Sequence, residues 1–269
     1  MSMFGRVLAA ALLACGPVPA AWAQAESEVS RTFEQGWAHF KLDGSLQVVR
    51  IAQALPELGR LPRSTFRATV VYMHGCSGID ALSDRTADML AAAGYLVFIP
   101  DSFARMTKPV SCDPSRNLGG LHREVLSWRQ AEADHALKQV KALPSLDPSK
   151  VFLMGLSEGG ITTATYVGEA VAGRIIEGWT CHAGWPEYRG LLAPPSEPVL
   201  AMSSENDPWF QEPVLRGDCG EFMTTNSALR RSMVFRPPHP AAPHHDLMWN
   251  ADARRLVFEF LDAVTRERP

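Results

Sequence analysis

Apolar residues in this chain come in short unbroken blocks rather than in strict alternation. The blocks at 68–73 (ATVVYM), 95–100 (YLVFIP), 151–156 (VFLMGL), 175–181, 198–203 and 232–236 are each predicted to be a strand. Leu46 to Ala54 alternates only in part and is rich in Val and Ile, which predicts an additional early strand. Pro56 to Arg63 reads as a turn-rich connection, and Glu26 to Gly36, which is polar, as a loose lead-in. Between the apolar blocks lie segments with helical spacing: Asp80 to Ala93, stopped by Gly94; Leu121 to Leu143, rich in Ala, Glu, Gln, Lys and Leu; Ile161 to Ala172; and the amphipathic Asp252 to Arg266. Strands apolar on both faces, alternating with helices, predict a mostly parallel sheet covered by helices on both sides. The expected class is therefore α/β, in one domain.

One stretch organises the rest. Val151 to Gly160 reads VFLMGLSEGG: an apolar strand, a very tight turn and a helix start. Gly155 and Gly159 flank Ser157 where a strand this close to a helix leaves no room for a Cβ. Such a turn lifts the serine hydroxyl out of the fold and points a helix N-terminus at whatever binds there, which is the arrangement of an activated nucleophile.

Charge and composition narrow the picture. The chain has 29 acidic and 26 basic residues, so there is no basic surplus for nucleic acid. At the N-terminus, Arg6 precedes an apolar run from Val7 to Ala14, which is too short to span a bilayer. Pro17 and Pro19 follow, and then Ala21-Trp22-Ala23, a small-x-small cleavage pattern. The expectation is a secretory leader over residues 1–23 and a mature domain over 24–269, periplasmic or secreted. The alternative is a lipoprotein anchored at Cys15 through Leu12-Leu13-Ala14-Cys15. Either route leads to an oxidising compartment, where Cys76, Cys112, Cys181 and Cys219 suit two disulfides. Cys76 follows one strand and Cys112 lies in the loop after the next, while Cys181 and Cys219 follow a later pair. This placement predicts Cys76–Cys112 and Cys181–Cys219.

A serine nucleophile needs a base, and the base an acid to orient it. In a parallel α/β sheet these come from loops at the C-terminal strand ends. The block 198–203 delivers Asp207, with Glu205 as the alternative acid, and the last strand delivers a loop with His244 and His245. His122 and His135 lie in the long helix and are expected at its surface or in a groove. His74-Gly75-Cys76 follows the strand expected beside the nucleophile strand, so the backbone N–H groups of Cys76 and Glu158 are the expected oxyanion donors.

With these pieces in hand, the chain resembles the dienelactone hydrolase family of α/β-hydrolases from about Ala68 onward. The matching motifs are HGCSG, PDSFAR at Pro100 to Arg105, GLSEGG, SENDPW at Ser204 to Trp209, and HDL at His245 to Leu247. The resemblance implies the α/β-hydrolase fold and favours His245 over His244, since the family's histidine precedes one residue and then an apolar one. It also implies that Arg105 binds a substrate carboxylate, the alternative being an ion pair with Asp101 or Asp113. It puts Trp249, expected to offer apolar or stacking contact, where the family carries a second arginine. The expected ester carries both a carboxylate and an apolar or aromatic portion. In this chain Ser157 stands where the family has its cysteine nucleophile, and Gly75 where it has a glutamate. Both differences point towards an ordinary esterase and away from dienelactone itself.

The expected activity is hydrolysis of an ester or lactone through Ser157, His245 and Asp207, with a small-molecule substrate and no metal or organic cofactor. The rivals are a peptidase on the same scaffold and a non-catalytic binding protein with a hydrolase fold. A stable membrane insertion is not expected, and the oligomeric state stays open.

Overall fold

The computed structural model describes residues 20–224 and 227–267. The leader expected over 1–23, with Cys15, lies outside the described residues except for its C-terminal end. In chain order the elements are α1 (Ala20–Glu34), β1 (Trp37–Leu42), β2 (Ser45–Arg50), α2 (Ile51–Leu58), β3 (Thr69–Met73), α3 (Ala81–Ala92), β4 (Leu96–Ile99), α4 (Glu124–Lys141), β5 (Val151–Leu156), α5 (Glu158–Thr165), β6 (Arg174–Glu177), β7 (Val199–Ser204), β8 (Arg230–Phe235) and α6 (Ala251–Glu267). They form one eight-stranded sheet in the order β2-β1-β4-β3-β5-β6-β7-β8. Strand β1 pairs antiparallel with β2 and β4, and every pair from β4 to β8 is parallel.

The unbroken apolar blocks are explained by burial on both faces. In β3, Val70 and Tyr72 point into one cluster with Leu90 of α3 and Val257 and Phe260 of α6. Val71 and Met73 point the other way, among Ala133, Leu137 and Val140 of α4. A third cluster, around Trp179, Tyr188 and Phe210, packs at the C-terminal edge beside the candidate site.

The N-terminal third departs from the sequence expectation. The polar lead-in is a helix, because Val29, Thr32 and Phe33 share one side and Phe33 is buried against Phe98, 6.0 Å between ring centroids. The strand expected over Leu46 to Ala54 ends at Arg50, and α2 takes over where Ile51, Ala54 and Leu58 all turn to the core. Strand β1 was not expected at all, since Trp37–Leu42 mixes His and Lys into its pattern. The nucleophile helix is shorter than Ile161 to Ala172. The hydroxyls of Thr162 and Thr165 bond back to the carbonyls of Glu158 and Ile161, which competes with the helix, and Tyr166 is already extended.

Both expected disulfides are present, Cys76–Cys112 and Cys181–Cys219, with sequence separations of 36 and 38 residues. The first ties the loop after β3 to the long loop after β4; the second ties the turn after β6 to the loop after β7. Among the described residues no helix is long and apolar enough to cross a membrane. Replacing Cys181 and Cys219 together by serine is expected to lower stability by about 3 kcal/mol, through the freed loop of the unfolded chain. Urea denaturation of the two proteins side by side measures this.

Candidate active site

Strand β5 ends in a turn that only this glycine pattern permits. Ser157 has φ 60° and ψ −118°, a left-handed conformation that costs an L-residue energy and needs outside support. Two backbone bonds supply it: Ser157 N–H donates to the Glu177 carbonyl at 2.9 Å, and the Ser157 carbonyl accepts from Ile161 N–H at 2.9 Å. A Cβ on Gly155 would stand 2.2 Å from the Gly159 oxygen, and one on Gly159 would stand 1.9 Å from the Met73 oxygen. Helix α5 therefore rests directly on the backbones of β5 and β3, and Ser157 is left half-buried at the tip.

The next two strand ends bring an acid and a histidine together. Asp207 follows β7 and is fully buried. One carboxylate oxygen accepts from Trp209 N–H at 2.9 Å, and the other meets His245 Nδ1 at 2.7 Å. The His245 ring lies between Trp209 and Phe210, at 5.3 and 5.5 Å between centroids. Its Nε2 is buried and has no hydrogen-bond partner among the described residues. The alternatives lie elsewhere: Glu205 is exposed and pairs with Arg236 at 3.4 Å, and His244 is exposed and edge-on to Trp249.

On the other side of Ser157 lies the loop after β3. Gly75 is packed so close that an added Cβ would stand 3.7 Å from that of Ser157. The loop is held from behind by Arg129 of α4, a fully buried guanidinium. Its Nη2 donates to the His74 carbonyl at 2.6 Å, and its Nη1 lies 2.8 Å from His74 Nε2. Ser102 N–H also donates to Nε2, so the ring proton sits on Nδ1, which donates to the Gly75 carbonyl at 2.6 Å. Burial, reinforced by the Arg129 charge, holds the His74 pKa well below its usual value. This histidine is thus a neutral structural clamp.

Two buried acids share Arg129. Glu132 lies 3.8 Å away and also accepts from Ser102 Oγ and from Arg105 Nε. Glu158 lies 3.9 Å away and accepts from Ser111 Oγ, next to the disulfide at Cys112. Burial raises the Glu158 pKa, and Arg129 and Ser111 oppose the rise. The same cluster draws in Arg105, expected as a ligand for a substrate carboxylate: its guanidinium turns inward to Glu132 and over Trp128, rather than to Asp101 or Asp113.

A cavity of about 280 Å³ opens over Ser157. Cys76 and Glu158 border it, and aromatic walls come from Trp179, Trp185, Tyr188 and Trp209. Among the described residues its charged lining is Glu158 and Glu212, with no Lys or Arg. Arg105 and Trp249 do not line it; Trp249 packs against the core under α6 instead. No group of His, Cys, Asp and Glu among the described residues could hold a metal ion.

The sequence left Arg129, Glu132 and Glu177 unremarked. A signal existed for Arg129: it falls on the same stripe of α4 as Leu126, Ala133, Ala136 and Val140, all buried. A charge on an apolar stripe points to a buried partner.

The model of the Dienelactone hydrolase family matches residues 60–230. No sequence of a curated protein matches the chain. Among solved structures, the chain is similar to a dienelactone hydrolase-like promiscuous phosphotriesterase from metagenomic libraries, with TM-score 0.53 and 18% identity over 86% of this chain and 96% of that one. It is similar to the α/β hydrolase MGS-M1 from a Medee basin deep-sea metagenome library, with TM-score 0.50 and 15% identity over 86% and 99% of the two chains. It is also similar to a prolyl endopeptidase, with TM-score 0.53 and 11% identity over 87% of this chain but 39% of the other. At these identities the likeness is one of fold.

Arg129→Met leaves Glu132 and Glu158 without their shared cation. It is expected to destabilise the fold by roughly 3–5 kcal/mol, with Arg129→Lys intermediate. Chemical denaturation of the three proteins checks the order.

Proposed function

The chain belongs to the dienelactone hydrolase family, and from that premise we propose that it is a serine hydrolase cleaving a carboxylic ester or lactone through Ser157, His245 and Asp207. The observation that carries this reading is the His245 ring. Asp207 engages its Nδ1, its Nε2 has no partner among the described residues, and Trp209 and Phe210, which pack against the ring, also line the cavity over Ser157. With Nδ1–H given to Asp207, Nε2 is the basic nitrogen.

In the proposed reaction, Ser157 Oγ attacks the ester carbonyl carbon while His245 Nε2 takes its proton. Asp207 keeps the ring oriented and stabilises the imidazolium. The oxyanion is received by the backbone N–H groups of Cys76 and Glu158, which border the cavity on either side of Ser157. The imidazolium returns its proton to the leaving alcohol, and an acyl-enzyme remains. Water, deprotonated by the same nitrogen, then releases the acid and restores Ser157.

The cavity also suggests what kind of ester is taken. Aromatic walls suit an apolar or aromatic substituent. Two lining carboxyls and no cation disfavour a substrate that carries its own carboxylate. The two disulfides suit an oxidising compartment, which agrees with a leader over residues 1–23 and a periplasmic or secreted location.

Ser157→Ala and His245→Ala are each expected to lower kcat by about 10⁴-fold or more, since such residues act as a unit. His244→Ala should retain wild-type turnover. A fluorophosphonate probe should label the wild type and not Ser157→Ala; no labelling of the wild type would instead favour a binding protein. On a matched pair of aryl esters, the neutral one should show kcat/KM at least about tenfold above its carboxylate analogue. Arg105→Ala should lower both equally, and a selective loss on the acidic ester would restore Arg105 as a substrate ligand.

A further inference from the structure

One buried acid outside the reacting atoms touches both halves of the site. Glu177 ends β6 and is fully buried. Its backbone carbonyl accepts Ser157 N–H at 2.9 Å. Its side-chain Oε1 accepts from Leu247 N–H at 2.7 Å and from Met248 N–H at 3.0 Å, in the turn that begins at His245. The same residue therefore sets the height of the nucleophile and the seat of the base, which follow different strands of the sheet. Oε2 is buried too and has no hydrogen-bond partner among the described residues.

The charges around it decide its protonation state. Asp246, in the same turn as His245, is the acid that acts most strongly on it. The Tyr72 phenol of β3 is pushed well upward by burial first, then by the charges of Glu177, Asp246 and Asp80. Arg85 of α3 is the cation on this side, but it reaches Asp246, at 3.7 Å, rather than Glu177. An ionised Glu177 would thus leave a bare oxygen in a dry interior beside a second carboxylate.

We propose that Glu177 is a positioning residue for the Ser157–His245 pair, acting as a neutral carboxylic acid that holds the His245 turn through two N–H groups and presents its O–H towards Asp246. Burial first, and then the charge of Asp246, push its pKa up to about 8. The Leu247 and Met248 N–H groups favour the carboxylate and oppose this rise. Loss of the proton therefore acts through repulsion between Glu177 and Asp246, which displaces Asp246 and with it the adjoining His245. The proposal rests on the reading of Ser157 and His245 as the reacting pair.

The experiment compares wild type, Glu177→Gln and Glu177→Ala in kcat, KM and thermal stability between about pH 5 and 10. The amide keeps an acceptor oxygen for the two N–H groups and a donor for Asp246, but it does not titrate. It should hold kcat within about threefold of wild type near neutrality. Wild-type kcat should fall roughly tenfold above about pH 8, through an ionisation absent from Glu177→Gln. Glu177→Ala, which orphans two buried N–H groups, should lose roughly tenfold or more in kcat with little change in KM.

Stability gives a readout independent of turnover. The folded pKa lies above the unfolded value of 4.5, so the neutral acid's contribution is complete below that value and is lost as pH rises towards about 8. The melting temperature of wild type relative to Glu177→Gln should therefore decline across this window and level off above it. A flat difference, an alkaline limb shared by Glu177→Gln, or full kcat in Glu177→Ala would each overturn the proposal. If Glu177→Ala does not fold, the wild-type and Glu177→Gln comparison decides alone. A wild type that turns over no ester would count against the hydrolase reading, while the melting curves would still decide the state of Glu177.

Discussion

The structure depends on one close approach: helix α5 lying directly on the backbones of β5 and β3. The contact exists because two residues have no Cβ, at Gly155 and Gly159, where any larger residue would collide with main-chain oxygen. Such contacts cannot be relieved by a side-chain rotation, because the atoms met are backbone. The left-handed Ser157 is the consequence: the chain must reverse within one residue to enter the helix, and the strain is met by hydrogen bonds to β6 and within α5. Everything else at the C-terminal edge of the sheet takes its distance from this point.

Behind the edge, charge replaces hydrophobic packing. Arg129 is a guanidinium with no exposure, and it is tolerable only because a carbonyl, a neutral imidazole and two carboxyls surround it. In hydrocarbon terms such a cluster is an expensive way to fill space. What it provides is direction. Arg129 fixes the loop after β3 through His74 and meets Glu158 at the start of α5, and the loop after β4 joins through Ser102 on Glu132 and Ser111 on Glu158, which a leucine could not arrange. The Cys76–Cys112 bridge closes the same assembly covalently. This is also why Arg105 is drawn inward: Glu132 is completely buried, and a second cation balances it.

The cavity and its surroundings thus divide the electrostatics between two layers. Cations lie behind the loops and bind protein carboxyls, while the lining itself carries acids and aromatic rings. A resemblance based on short motifs places Arg105 in the loop after β4, and it does lie there. Which way its side chain turns depends on Glu132, 27 residues later in another element.

The sequence by itself determined the fold class, the order of strands and helices from Ala68 onward, the Ser157 turn and the two disulfide pairs, because each of these is written in local physics. Apolar runs of about six residues, too short for a buried helix and bounded by turn residues, fit strands buried on both faces, and glycine on either side of a serine permits a backbone that other residues forbid. It also picked out Asp207 and His245, the pair now found 2.7 Å apart, from their places after later strands and from a motif. Only the tertiary structure decided the rest. Strand β1 and helix α1 are weak locally and form because the sheet edge and Phe98 receive them. The inward turn of Arg105, the buried station of Arg129 and the double hold of Glu177 involve partners tens of residues apart. The state of a buried charge depends on which groups the fold brings within a few ångströms, and a linear pattern records the residues but not those distances.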